Sequence, residues 1–190
     1  MRNLVVLGGP NGAGKTTAAP LILPQTLGIR EFVNADEIAR GLSPYNPEGS
    51  AITAGRLMIA RIRALARAGA SFAFETTCAG RAHARLLRQC RSEGYRVVLV
   101  FLWLPSAEAA LARVARRVRE GGHDIPEEVV VRRYAAGLSN MRTLYMPLSD
   151  AGLIYDNSDG GVGKIAEWSE GTELIVHHRA LWQRIEEATR

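Results

Sequence analysis

The chain has 190 residues, 47% of them hydrophobic and 23% charged, with a formal net charge of +5. That is the balance of a globular polypeptide long enough to bury a substantial core in one domain, and it excludes disordered and fibrous classes. Its longest apolar run, Val97 to Leu104, suits a buried strand and falls well short of the ~18 residues of a membrane helix, so no membrane association is expected.

The positive balance suits anionic ligands, nucleotides included. Cys78 and Cys90 are the only cysteines and form no C-x-x-C pair, which predicts a reduced compartment and no structural metal. No signal-peptide pattern precedes the first strand, and a cytoplasmic location is the expectation.

In chain order, apolar runs alternate with longer amphipathic segments, the pattern of an α/β protein with a parallel sheet and helices on both faces. Leu4-Val5-Val6-Leu7 predicts the first strand. A helix from about Gly14 should stop near Pro20 and Pro24. Glu31-Phe32-Val33 reads as a second strand, Pro44 to Gly49 as a loop, and the stretch through Arg67 as a long helix. Ser71 to Phe74 predicts a third strand, ending at Glu75-Thr76-Thr77. A helix from about Arg81 to Glu93 leads to the central strand, Tyr95 to Leu104. Ser106 is a candidate N-cap for a helix running to Gly121-Gly122, and a further helix follows Pro126 to about Leu144. Gly152 to Asp156 predicts a fifth strand. The tail reads as a hairpin, Gly163 to Trp168 with Glu173 to Val176, and a final short helix.

The first strand runs directly into Gly9-Pro10-Asn11-Gly12-Ala13-Gly14-Lys15-Thr16, followed by Thr17. This G-x-x-x-x-G-K-T pattern between strand and helix is a P-loop, or Walker A motif. Its glycines let backbone amides of Gly9, Asn11, Gly12, Ala13 and Gly14 approach phosphate oxygens, and the following helix points its N-terminus at the same anion. Lys15 supplies a compact charge for the β- and γ-phosphates of ATP, and the Thr16 hydroxyl a ligand for Mg²⁺. Of the 24 basic residues only Lys15 and Lys164 are lysine. An arginine-writing chain that keeps lysine here does so where a planar guanidinium would substitute poorly.

Ligands in open α/β sheets bind beyond the carboxyl ends of the strands, where Asp36 and Glu75-Thr76-Thr77 also fall. Asp36 is the candidate catalytic base for phosphoryl transfer, with helix capping as its alternative. Glu75 either binds a substrate hydroxyl, holds water on Mg²⁺ in the manner of a Walker B acid, or is a solvated strand end. Arg113, Arg116 and Arg117 share one helical face and precede Gly121-Gly122-His123, a hinge, with Arg132 and Arg133 beyond it. This segment, about 113–133, is either a solvated face or an arginine-bearing lid. His123 either binds phosphate or makes a local hydrogen bond. Low aromatic content, 6%, and the lack of a basic-aromatic stripe argue against a nucleic-acid partner.

Five segments occur in order: 8–17 (Gly-Gly-Pro-Asn-Gly-Ala-Gly-Lys-Thr-Thr), 34–39 (Asn-Ala-Asp-Glu-Ile-Ala), 74–77 (Phe-Glu-Thr-Thr), Arg117-Val118 with Gly121-Gly122-His123, and 155–158 (Tyr-Asp-Asn-Ser). Together, from Leu4 to Ser158, they resemble a compact, chromosomal-type member of the zeta-toxin family of P-loop kinases. The resemblance implies a single P-loop kinase domain over 1–190 that uses ATP and Mg²⁺. Its substrate would be the 3′-hydroxyl of the amino sugar in UDP-N-acetylglucosamine or a related nucleotide sugar, giving a product that poisons bacterial cell-wall synthesis. By motif, Lys15 and Thr16 would bind ATP and Mg²⁺, Asp36 would be the base, Glu75 and Thr76 would line the sugar site, and Arg117 would be a lid arginine. Larger members place a second lid arginine after a longer insertion. Here the shortened segment leaves His123, Arg132 or Arg133 for that task, with Arg113 a further lid candidate. A small helical antitoxin occupying the ATP site is a partner of some members. The alternatives are a P-loop kinase for another acceptor, such as a polynucleotide end or a small antibiotic, and a regulatory nucleic-acid-linked ATPase.

Overall fold

The structure, a computed structural model, describes residues 1–122, 124–158 and 163–189; the lid candidate His123 lies outside the described residues. Strand β1 (Arg2–Gly8) carries the run Leu4 to Leu7, every residue buried, as an uninterrupted apolar strand must be when helices cover both of its faces. It pairs in parallel with β3 (Phe72–Thr76) and β4 (Tyr95–Trp103). The short β2 (Glu31–Val33) lies parallel beside β3, and β5 (Ala151–Asp156) parallel beside β4. Strands β6 (Gly163–Ser169) and β7 (Ile175–Val176) continue the sheet antiparallel, giving the order β2-β3-β1-β4-β5-β6-β7 among the described residues. The C-terminal hairpin is therefore an extension of the main sheet, and the architecture is α/β with a mostly parallel core.

Alternation along the strands sends side chains to two layers. Leu4, Val6, Phe72, Phe74, Leu99 and Phe101 pack with Met58 and Ile62 of α3 (Ala51–Arg67), Leu86 and Leu87 of α4 (Ala82–Ser92), and Trp182 and Ile185 of the terminal helix α7 (Arg179–Glu187). On the opposite face Val5, Leu7, Ala73, Val98 and Val100 meet Ala19 of α1 (Lys15–Leu21) and Leu23. A third cluster lies past the carboxyl end of β4. There Leu102 and Leu104 pack with Ala13, with Ala110 and Val114 of α5 (Ala107–Arg119), and with Val130 of α6 (Glu127–Asn140). Helix α2 (Ala35–Leu42) follows β2 directly, so its N-terminus opens toward the same edge.

The first α-helix ends where the prolines are expected to stop it: α1 closes at Leu21, directly after Pro20, and the chain continues for one widened helical turn, Ile22–Thr26, that contains Pro24. A turn whose bonds reach one residue further, as from Leu27 N–H to the Ile22 carbonyl at 3.2 Å, accommodates rings that lack the usual donor. Gly121-Gly122 is a helix terminator rather than an open hinge. Gly121 takes φ +89° and donates to the Val118 carbonyl, and Gly122 donates to that of Arg117 at 2.9 Å, the paired bonds of a Schellman cap.

Candidate active site

The loop after β1 is held in a conformation that only its glycines permit. Gly12 and Gly14 both have φ +75°, and a Cβ on either would stand 2.9 Å from Arg113 Cβ or 2.8 Å from Asn157 Nδ2. Helix α5 therefore packs directly on the loop at Gly12. On the other side Asn157, just past β5, donates from Nδ2 to the Ala13 carbonyl at 2.7 Å and from its backbone N–H to the Trp103 carbonyl at 3.1 Å. Gly14 caps α1 without a side-chain bond, leaving the first-turn amides of Lys15, Thr16 and Thr17 toward the loop's concavity.

Lys15 is only 6% exposed, and its Nζ donates to the carbonyls of Gly9 and Pro10, each at 2.9 Å. Glu75, at the carboxyl end of β3, brings Oε1 within 3.6 Å of that ammonium. Its other oxygen accepts from the Thr16 hydroxyl at 3.0 Å and from Asn34 Nδ2 at 2.9 Å. One carboxylate thus joins the ends of three elements: the start of α1, the cap of α2 and the tip of β3. Burial lowers the Lys15 pKa below that of free lysine, while the charges of Glu75 and then Asp36 favour the ammonium. These two carboxylates are the leading counter-charges of a desolvated lysine.

Asn34 is the residue that sequence reasoning passed over. Its Oδ1 accepts from the backbone N–H of Asp36 at 2.8 Å and of Glu37 at 3.4 Å, making it the N-cap of α2. The capping alternative for Asp36 therefore falls: Asn34 does the capping, and Asp36 sits in the first turn. Asn ahead of Ala-Asp-Glu is a cap signature legible in the chain, whereas its amide bond to Glu75 is not. Asn157 belongs to the fifth motif segment, and its grip on the phosphate loop emerges only in three dimensions.

Asp36 lies on the wall of a cavity of about 340 Å³ between α2, the turn before α3 and the start of α6. Facing residues include Glu48, Asp124, Val129 and Arg133. Of the arginines considered for a lid, Arg133 lines this cavity, whereas Arg132, its neighbour, is exposed. Arg113 is half-buried against the phosphate loop, and Arg117, one turn on, is half-buried with its stem under Gly122. Arg116 faces outward in an ion pair with Glu120 at 2.9 Å. Thr76 turns its hydroxyl onto its own loop, accepting from Cys78 N–H at 3.0 Å. Cys78 is wholly buried, and desolvation pushes its thiol up to about 12, against the pull of Lys15 and a Gly9 backbone bond. A buried thiol held in its neutral form is a poor nucleophile.

The site fits a magnesium nucleotide. The glycine cradle, the buried lysine and the uncapped helix start suit phosphates, and the Thr16 hydroxyl beside Glu75 offers the hard oxygens that Mg²⁺ takes. No group of three or more His, Cys, Asp or Glu gathers as a metal site among the described residues. A magnesium ion here would accordingly be shared with phosphates and water, its usual mode in kinases. No helix among the described residues is long and apolar enough to cross a membrane.

Residues 4–142 match the family model described as an AAA domain, AAA_33. A Haemophilus influenzae protein described as uncharacterized is 30% identical over 126 residues, which are 66% of this chain and 88% of its own length. Among solved structures, the AvrRxo1-ORF1:AvrRxo1-ORF2 complex with sulphate ions matches at TM-score 0.75 and 22% identity, over 100% of this chain and 65% of that one. The same complex with ATP gives 0.76 and 21% over the same shares. A structure of the PezAT chromosomal toxin-antitoxin system of Streptococcus pneumoniae matches at 0.67 and 15%, over 99% of this chain and 86% of that one. The chain thus spans 65% of the length of the AvrRxo1 chains it matches, and at these identities the likeness is one of fold. The family match runs from β1 to the end of α6, taking in the phosphate loop itself and every residue that lines the cavity beside it, and the chain belongs to this AAA_33 family of AAA domains, with a P-loop kinase-like fold.

Proposed function

We propose that this chain is an ATP-dependent kinase of zeta-toxin type that phosphorylates a sugar hydroxyl, with the 3′-hydroxyl of UDP-N-acetylglucosamine or a related nucleotide sugar as acceptor. One observation carries the phosphotransfer reading: Asp36 stands on the wall of a cavity while its charge acts on the buried phosphate-loop lysine, Lys15. A hydroxyl seated in that cavity would have a carboxylate at hand and the phosphate loop beyond it. The identity of the sugar rests on the five-segment resemblance.

In this reading Lys15 leaves the Gly9 and Pro10 carbonyls for phosphate oxygens, and the loop amides hold the remaining oxygens. Thr16 and Glu75 present oxygen ligands, direct or through water, where bound Mg²⁺ would neutralise charge on the β- and γ-phosphates. Asp36 orients the acceptor hydroxyl and takes its proton as the phosphoryl group transfers. Arg113, Arg117 and Arg133, on the segment from α5 to the second turn of α6, supply the lid cations. Arg133 takes the acceptor side, where it lines the same cavity as Asp36. The likeness to a toxin-antitoxin structure supports a small helical antitoxin as partner.

The test is ATP turnover with Mg²⁺ against a panel of sugar nucleotides, with Asp36→Ala and Lys15→Ala as controls. Phosphorylated UDP-N-acetylglucosamine, absent in both controls, is the expected product. Full phosphoryl transfer by Asp36→Ala would refute the base assignment. A second acceptor class has one observation in its favour: a cavity of about 340 Å³ is at the small end of ligand sites, which run from about 300 to 1,000 Å³. Turnover of a smaller hydroxylated acceptor, with silence on every nucleotide sugar, would move the assignment there.

A further inference from the structure

We propose that Asn140 is a positioning residue for the phosphate site: through it, α6 holds the segment after β3 and thereby sets Glu75 on Lys15 and Thr16. The proposal rests on the nucleotide-binding reading above and adds to it a mechanical link between the acceptor cavity and the metal side of the site.

Helix α6 serves two places. Its first two turns wall the cavity with Val129 and Arg133. One turn later Gly137 lies so close to the Thr77 carbonyl that a Cβ there would overlap the oxygen. Asn140, 7% exposed, then donates from Nδ2 to the carbonyls of Cys78 and Ala79, each at 3.0 Å. The Tyr145 hydroxyl completes the series on the Gly80 carbonyl at 2.8 Å. Four successive carbonyls, 77 to 80, are therefore gripped by residues 137 to 145.

The gripped segment is one that needs holding. Cys78 has φ +59°, the only non-glycine residue with positive φ among those described, and its Sγ bounds the space beside Gly8 at the root of the phosphate loop. Such backbone persists only where its surroundings over-determine it. Glu75 lies three residues upstream, and its two oxygens serve Lys15, Thr16 and Asn34. A buried amide that spends its donors on adjacent carbonyls fixes direction as well as distance, which an apolar residue filling the same space would not.

The test is calorimetric binding of ATP, with and without Mg²⁺, by the full chain and its Asn140→Leu, Glu75→Gln and double variants. Asn140→Leu is expected to keep the Mg²⁺-free affinity within about two-fold and to lose about ten-fold of the gain that Mg²⁺ confers. Glu75→Gln should lose at least as much, and adding Asn140→Leu to it should cost less than about two-fold more. Gly137→Ala presses on Thr77 with the amide intact and should reproduce the Mg²⁺-specific loss; it replaces Asn140→Leu in the cycle if circular dichroism shows that variant unfolded. Additive losses, or an equal loss with and without Mg²⁺ in a folded variant, would make Asn140 a purely structural tie and overturn the proposal. If the unaltered chain binds no ATP, the nucleotide reading itself fails and this inference with it.

Discussion

Replacing Glu75 by Gln removes the charge that faces Lys15 while leaving an amide oxygen for Thr16 or Asn34. The two charged groups are 3.6 Å apart, with side chains 6% and 11% exposed, so solvent screens them little. At an effective dielectric of about 20 their gross attraction is about 4–5 kcal/mol. The Gly9 and Pro10 carbonyls remain on Nζ, which places the expected net loss near the lower end for a broken buried pair, about 3 kcal/mol. In a domain of this length that lowers Tm by about 6–12 °C at neutral pH. The pH dependence has a definite sign. Lys15 titrates below free lysine in the folded state, so the unfolded chain binds the extra proton and stability rises with pH between the folded pKa and ~10.4. Among its neighbours the Glu75 carboxylate does most to hold the folded value up. Glu75→Gln therefore moves the start of that rise to lower pH, and its Tm deficit shrinks from about pH 7 to about pH 9.5. Lys15→Met in the same background should remove both the deficit and its pH dependence. Differential scanning calorimetry at the two pH values reads all of this. A neutral-pH Tm unchanged by Glu75→Gln, or a deficit identical at both pH values, would show that the loop carbonyls alone satisfy Lys15.

Gly12→Ala places a methyl 2.9 Å from Arg113 Cβ at φ +75° and should abolish ATP binding in equilibrium dialysis while the sheet stays folded; retained affinity would mean that the loop re-forms around a side chain. Arg133→Ala should raise the acceptor KM by about ten-fold or more, and Arg132→Ala by less than about two-fold, because only Arg133 lines the cavity; equal effects in steady-state kinetics would remove Arg133 from the acceptor site. Cys78, buried and with its thiol pushed up to about 12, should resist a thiol reagent in the native protein at about pH 8 and react fully in denaturant; rapid native labelling would show that the loop after β3 opens readily.

The phosphate loop was legible because its chemistry is local: strand, glycines, lysine and threonine are contiguous, and local backbone geometry fixes what each must do. The parallel core was legible for a similar reason, since a strand buried on both faces must be written as an unbroken apolar run, as Leu4 to Leu7 and Val97 to Leu104 are. Proline punctuation marked the end of the first α-helix at Leu21, but not the widened turn over Ile22–Thr26 that follows it, where Ala19 and Leu23 pack under the sheet. The meaning of Gly121-Gly122 was ambiguous in one dimension, where a helix cap and a hinge share the same residues.

Relations between distant segments emerged only in three dimensions. Glu75 could be read as a substrate ligand, a Walker B acid or a solvated end; its contacts with Thr16, Asn34 and Lys15 come from strand order, which sets β3 between β1 and β2. Arg132 and Arg133 are adjacent in sequence and equal in charge, and the rotation of α6 alone sends one into the cavity and the other to the surface. Asn140 carries no local signature, and the motif that contains Asn157 does not reveal its contact, since an amide gains its role from the carbonyl that the fold brings to it. The phosphate-loop motif could be read from the chain alone, because backbone conformation and side-chain type are local properties. Which residues touch that loop follows from register and packing, because hydrogen bonds and ion pairs act over a few ångströms of space regardless of their separation along the chain.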